Sequence, residues 1–200
     1  YQENQEKNAI LVKAENQYQS AFHNLNYHLD NLSEELGKAL AVNSRTQITP
    51  SLTNVWRLTY AAQSDLAALP LGLASFSQTE QFLANVGDFT YRAAIRDLEK
   101  EPLTDQEWQT LQTLYERSEQ IKKELNEVQS KIIENNLRWM DVESALAQEK
   151  QSSDNTIIDG LKAIDKRVEE FGEVDWGVTT LTLDVKRKEA FKNLPGRNIT

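Results

Sequence analysis

The chain has no cysteine, one methionine, four prolines and seven glycines in 200 residues. Without cysteine there is no disulfide, no thiolate nucleophile and no cysteine-held zinc, which is compatible with export to an oxidising place. The scarcity of proline and glycine removes most of the punctuation that ends regular structure. Long apolar runs are missing too: no window approaches eighteen apolar residues, and no stretch has the layout of a signal peptide. Basic residues are the minority, with 22 Lys and Arg against 31 Asp and Glu for a formal charge of -9. Such a chain repels phosphate backbones, so nucleic acid is excluded as a natural partner.

Chemistry-bearing patterns are equally sparse. His23 and His28 are the only histidines; five residues apart, they diverge by about 140° around a helix and cannot share a metal. They read as exposed or structural. Glu34 with Glu35, and Glu169 with Glu170, are adjacent pairs that diverge as solvated faces. Glycine-rich phosphate loops, zinc-protease patterns and nucleophile elbows do not occur. The expectation is a protein that is not an enzyme and has no metal and no cofactor.

What is present is helical periodicity. Between Thr104 and Glu149 there is neither proline nor glycine. Apolar positions there recur at three-then-four spacing: Leu111, Leu114, Ser118, Ile121, Leu125, Val128, Ile132, Asn135, Trp139, Val142, Leu146. A capping box of Thr104 and Glu107, with Leu103 and Trp108 as staple, marks the start. The expectation is one unbroken helix of roughly 65 Å, packed lengthwise in a bundle or coiled coil.

Four more helices follow from the same reasoning. The first spans about 3–41, with a seam at Leu11, Tyr18, Phe22, Leu25, Leu29, Leu32, Leu36 and Ala39 and one misfit, Glu15. The second opens with Thr49 as cap and Pro50 at the first helical position and stops at Pro70. The third opens with a box of Ser77 and Glu80 and runs to about Glu99. The last, after a polar break at 152–155, carries Ile157, Leu161, Ile164, Val168 and Phe171 and ends at Gly172. The fold class is therefore all-α: an elongated antiparallel helical bundle of two long helices, two shorter ones and a fifth C-terminal helix. Two halving helices can run down and back beside the long ones, or end to end as a three-rod bundle. Residues 1–172 form the bundle. Residues 173–200 lose helical period, hold the basic cluster Lys186, Arg187, Lys188, and read as a linker with a short helix near 188–194. The chain opens at Tyr1 and is in helical register by Leu11, so a removed anchor or signal is expected upstream.

Two polar clusters remain. In the first, Asp88 and Arg92 have the spacing of a helical ion pair, with a surface pair the plainer reading and a ligand site the alternative. The second runs from Asn135 to Glu143, where Arg138 reaches Asp141 one turn on. Asn135 on the seam reads as a register-setting polar residue. Arg138, Trp139, Asp141 and Glu143 are the candidate partner-binding surface, because Trp and Arg are enriched at binding hot spots.

The run Asn136-Leu137-Arg138-Trp139-Met140-Asp141-Val142-Glu143, continued by Ala145-Leu146-Ala147, resembles a signature of the YpeB family of germination proteins from endospore-forming bacteria. Ala14-Glu15-Asn16 with Tyr18, Ala21, Phe22 and His23 agrees in order, as do Val55-Trp56-Arg57, Leu69-Pro70-Leu71, Gly87-Asp88-Phe89 with Arg96-Asp97-Leu98, and 153–158. The resemblance covers the chain to about Ile158. It implies an N-terminal domain lying between a membrane anchor and C-terminal PepSY domains, on the outer face of the inner spore membrane. It also implies a non-enzymatic partner that stabilises and restrains the cortex-lytic enzyme SleB. The candidate surface comes from residue composition and not from the family. The competing readings are an extracytoplasmic sensor bundle, which needs a pocket of convergent polar groups, and a self-associating coiled-coil spacer.

Overall fold

The computed structural model describes residues 2–42, 45–71, 76–147 and 156–177, and all regular structure among them is helical. In chain order the helices are α1 (Gln2–Ala41), α2 (Arg45–Ala67), α3 (Ser77–Ile95), α4 (Asp105–Glu134), α5 (Trp139–Ala147) and α6 (Thr156–Glu169).

Each helix turns its apolar stripe to one shared core. On α1 the stripe Phe22, Leu25, Leu29, Leu32, Leu36, Ala39 is buried; on α4 it is Leu111, Leu114, Ile121, Leu125, Val128, Ile132. These two run antiparallel, since Gly37 lies against Tyr115, Ser33 donates to Glu119 and Asn126 to Asp30. α2 folds back along α1, with His28 Nδ1 2.6 Å from Asp65 Oδ2. α3 returns antiparallel to α2, because Trp56 packs on Tyr91 at 5.0 Å between ring centres and Gly87 on Thr59. A Cβ on Gly87 would lie 2.7 Å from the Thr59 hydroxyl, so only glycine allows that approach. The half-length helices therefore form a hairpin and are not stacked end to end. α6 runs antiparallel along α4, with Gly160 against Val128 and Arg167 bridging to Glu124, while Phe171 meets Phe82 of α3 at 6.1 Å.

Helix ends depart from expectation in instructive ways. α2 begins at Arg45, not at a Thr49 cap, because Ile48 is buried and extends the stripe upstream; Pro50 lies inside the helix. α3 has Phe76 at its cap position and no side-chain cap, so the Ser77 and Glu80 box does not form. Asp165 of α6 instead accepts from the Thr79 amide at 2.8 Å. The box at Thr104 and Glu107 is present in full. α1 is exposed from residue 2 to 13; Leu11, expected inward, is 38% exposed, and its neighbours Ile10 and Val12 are 68% and 59% exposed.

The largest correction concerns the long second rod. It ends at Glu134, and the chain bends before α5 begins. After α6, Gly172 adopts φ 69°, and 173–177 leave without helical structure. That strap lies on the bundle: Thr110 donates to the Asp175 carbonyl at 2.9 Å and Arg92 to that of Trp176 at 2.6 Å. The polar break at 152–155, the basic cluster at 186–188 and the short helix expected near 188–194 lie outside the described residues.

Candidate functional site

The corner between α4 and α5 gathers most of the residues singled out in the sequence. α4 stops by a local rule. Asn136 takes the left-handed conformation, φ 51°, its amide donates back to the Ile133 carbonyl, and the Leu137 amide reaches the Ile132 carbonyl at 3.0 Å. Those two bonds satisfy carbonyls that a helix end leaves bare, with Asn in the place usually held by glycine. Leu137 packs against the core beside buried Ile132. Asn135 is the exposed cap residue, its amide donating to the Lys131 carbonyl at 3.0 Å. It therefore caps a helix rather than setting register on a seam.

α5 then starts with no cap of its own, and Glu15 supplies one from α1. Its carboxylate accepts from the Trp139 amide at 3.0 Å and the Met140 amide at 2.9 Å, while Gln19 donates to it at 3.0 Å. A carboxylate at a helix start meets bare N–H groups and the positive end of the dipole. This is why an acid sits on an otherwise apolar seam. Beside it Tyr18 donates to Glu143 at 3.1 Å. Burial, then the hydrogen bond to Glu143 and its charge, raise the Tyr18 phenol above its ordinary value. Phe22 packs on Trp139 at 5.1 Å between ring centres.

The four candidate contact residues thus divide. Arg138, Asp141 and Glu143 are exposed, with Ile133 67% exposed nearby. Trp139 is 1% exposed and holds the corner from beneath. Arg138 and Asp141 are joined through the backbone, the Asp141 amide donating to the Arg138 carbonyl at 3.2 Å.

The first polar cluster is also turned to internal bracing. Arg92 pairs with Asp88 at 2.9 Å and clamps the strap. Arg96 pairs with Glu107 at 2.9 Å, tying the end of α3 to the start of α4. Burial raises the Glu107 carboxyl, but Arg96 and the Thr104 amide outweigh it and leave the group below its ordinary value. Arg117 donates to the Phe171 and Gly172 carbonyls at the end of α6. Among the described residues no group of three or more His, Asp or Glu side chains is placed to hold a metal ion, and no helix is long and apolar enough to cross a membrane.

A family model described as YpeB N-terminal matches residues 6–141. The chain belongs to the YpeB family. The matched span takes in both sides of the corner, Glu15 on α1 and Trp139 on α5. Curated relatives named Sporulation protein YpeB share 46% identity in Oceanobacillus iheyensis, 44% in Bacillus subtilis and 40% in Halalkalibacterium halodurans. Each match covers all of this chain and 44%, 44% and 45% of the relative, so the chain spans less than half the length of those YpeB proteins. No solved structure matches.

The periodicity predicts one unbroken helix through this corner and misses what builds it. The Asn-Leu pair at 136 and 137 carried the stop signal, and the lone acid at 15 on an apolar seam carried the cap. Asp165, which caps α3, left no comparable mark.

Proposed function

We propose that this YpeB-family chain is a non-enzymatic holder of the cortex-lytic enzyme SleB, stabilising and restraining it in the spore, on the outer face of the inner membrane, until germination. Family membership carries this reading, since the named relatives are sporulation proteins. A scaffold role is also favoured by how the polar groups are used. Glu15, Asp165, Glu107, Arg92, Arg96 and Arg117 each end on this chain's own groups, which braces the bundle from within. The docking face in this reading is the outer side of the corner, Arg138, Asp141 and Glu143 beside exposed Ile133, with Trp139 as its support. Charged residues around an exposed apolar side chain are the usual make-up of an interface rim and core.

Calorimetric titration with purified SleB, as full-length enzyme and as catalytic domain, alongside a cortex-lysis assay, tests it. Saturable binding supports the reading, and accompanying loss of lysis places restraint in this domain. No binding removes enzyme control from the bundle. Combined Ala substitution of Arg138, Asp141 and Glu143 should weaken binding at least about tenfold while lowering stability by no more than about 2 kcal/mol, which includes the lost Tyr18 hydrogen bond; unaltered binding rules out the corner as the docking face.

A further inference from the structure

We propose that α4 and α5 are two halves of one rod with a break built into it, and that α5 is a latch able to swing from its docked position into line with α4. Four observations meet here. First, the three-then-four spacing of the sequence runs through the break: Ile132 before it, Trp139 and Val142 after it, are buried, the seam position between them, Asn135, is exposed where the helix ends, and neither proline nor glycine interrupts the stretch. Second, the break rests on a residue other than glycine in the left-handed region, Asn136 at φ 51°, a conformation most side chains resist. Third, the start of α5 is capped across the fold, by Glu15. In a continuous helix the Trp139 and Met140 amides would instead bond to carbonyls four residues earlier, so neither state strands them.

The fourth observation is that the register of α1 and α4 leads the straight path along 2–13 of α1, where among the described residues no side chain is buried. Gly37 faces Tyr115, Ser33 faces Glu119 and Asp30 faces Asn126. Continued past Glu134, this antiparallel register sets Trp139 near Glu15, Val142 along the turn of Ile10, Leu11 and Val12, and Leu146 about one turn earlier on α1. Those three are the apolar residues that α1 leaves uncovered, and Leu146 is itself 38% exposed. Of these three, Leu11 is the one that continues the seam of α1, with Ile10 and Val12 about 100° to either side, and its occupant in the straight rod is α5 of the same chain. In the docked state α5 turns back, since Glu15 meets residues 139 and 140 while Tyr18 meets Glu143. The connection permits both states: a straight rod moves Ala147 roughly 22 Å beyond the level where α6 starts, and the chain from 147 to 156 reaches about 30 Å. α6 can remain on α4 while α5 swings and uncovers the surface of α1 and α6 beneath it.

The absence of native cysteine allows clean spin labelling at exposed Gln112→Cys and Ser144→Cys. The docked state places the labels roughly 35 Å apart and the straight rod about 48 Å apart. Asn136→Ala, which disfavours the left-handed turn, and Glu15→Gln, which weakens the cap, should each raise the long-distance fraction at least about tenfold, with helix content held or increased. Asn136→Gly should suppress it. A single short distance in both destabilised variants overturns the proposal. Loss of helix content in both overturns it too, because α5 then melts instead of joining α4.

Discussion

Glu15 is the residue on which the corner turns. Its two oxygens serve two backbone amides, a charge-assisted arrangement stronger than a neutral hydrogen bond. Glu15→Ala takes that acceptor away from the docked corner and should lower the stability of the docked fold by about 2–3 kcal/mol. Trp139→Ala empties the space against Phe22 and should cost about 3–5 kcal/mol, where Arg138→Ala one residue earlier should cost no more than about 0.5 kcal/mol; urea denaturation of the three variants checks all of this. Glu107 makes a pH prediction. A carboxyl depressed in the folded state adds stability above its unfolded pKa, about 4.3, and that contribution disappears as pH falls through the folded value. The loss caused by Glu107→Gln should therefore be full near pH 7 and shrink steadily below about pH 4, as read from denaturation midpoints at each pH.

Helices as units depend on close approach and on how they end. Gly87 lets α3 lie directly on Thr59 of α2, so Gly87→Val should separate the hairpin and destabilise it by about 1–3 kcal/mol, visible as a lower midpoint in thermal melting. Period and glycine spacing made most elements readable in advance. The seams of α1 and α4, the box at Thr104 and the left-handed Gly172 all act through near neighbours, which a sequence displays directly. What escaped had two causes. The stop at Asn136 used a residue that is only second choice for that conformation, hidden inside an unbroken heptad pattern. The starts of α3 and α5 rely on acids from other helices, so Ser77 looked like a cap and was not one. Trp139 was singled out as a contact candidate and lies buried at the corner; composition could not tell a buried support from an exposed contact, because both favour a large aromatic side chain.

Across the whole molecule the packing is uneven. α1 extends about 60 Å, but its first three turns have no buried side chain, while its second half lies in the centre of the core. Amides of residues 2–13 should exchange with solvent at least about a thousandfold faster than those of Leu25 to Leu36, as read by hydrogen exchange with mass spectrometry. The bundle is held lengthwise by carboxylates that bridge large sequence separations: 86 residues from Thr79 to Asp165 and 124 from Glu15 to Trp139. This distribution has a consequence for how the chain comes into being. During synthesis α3 leaves the ribosome complete in sequence but lacking the acid that closes its start, and must wait for α6. α5, by contrast, finds Glu15 already made. Interactions joined late contribute little to the folding barrier and mostly slow escape from the native state. Asp165→Ala should thus speed unfolding several-fold while leaving the refolding rate nearly unchanged in stopped-flow measurements, and α6 acts as a clasp fastened after the helices before it have assembled.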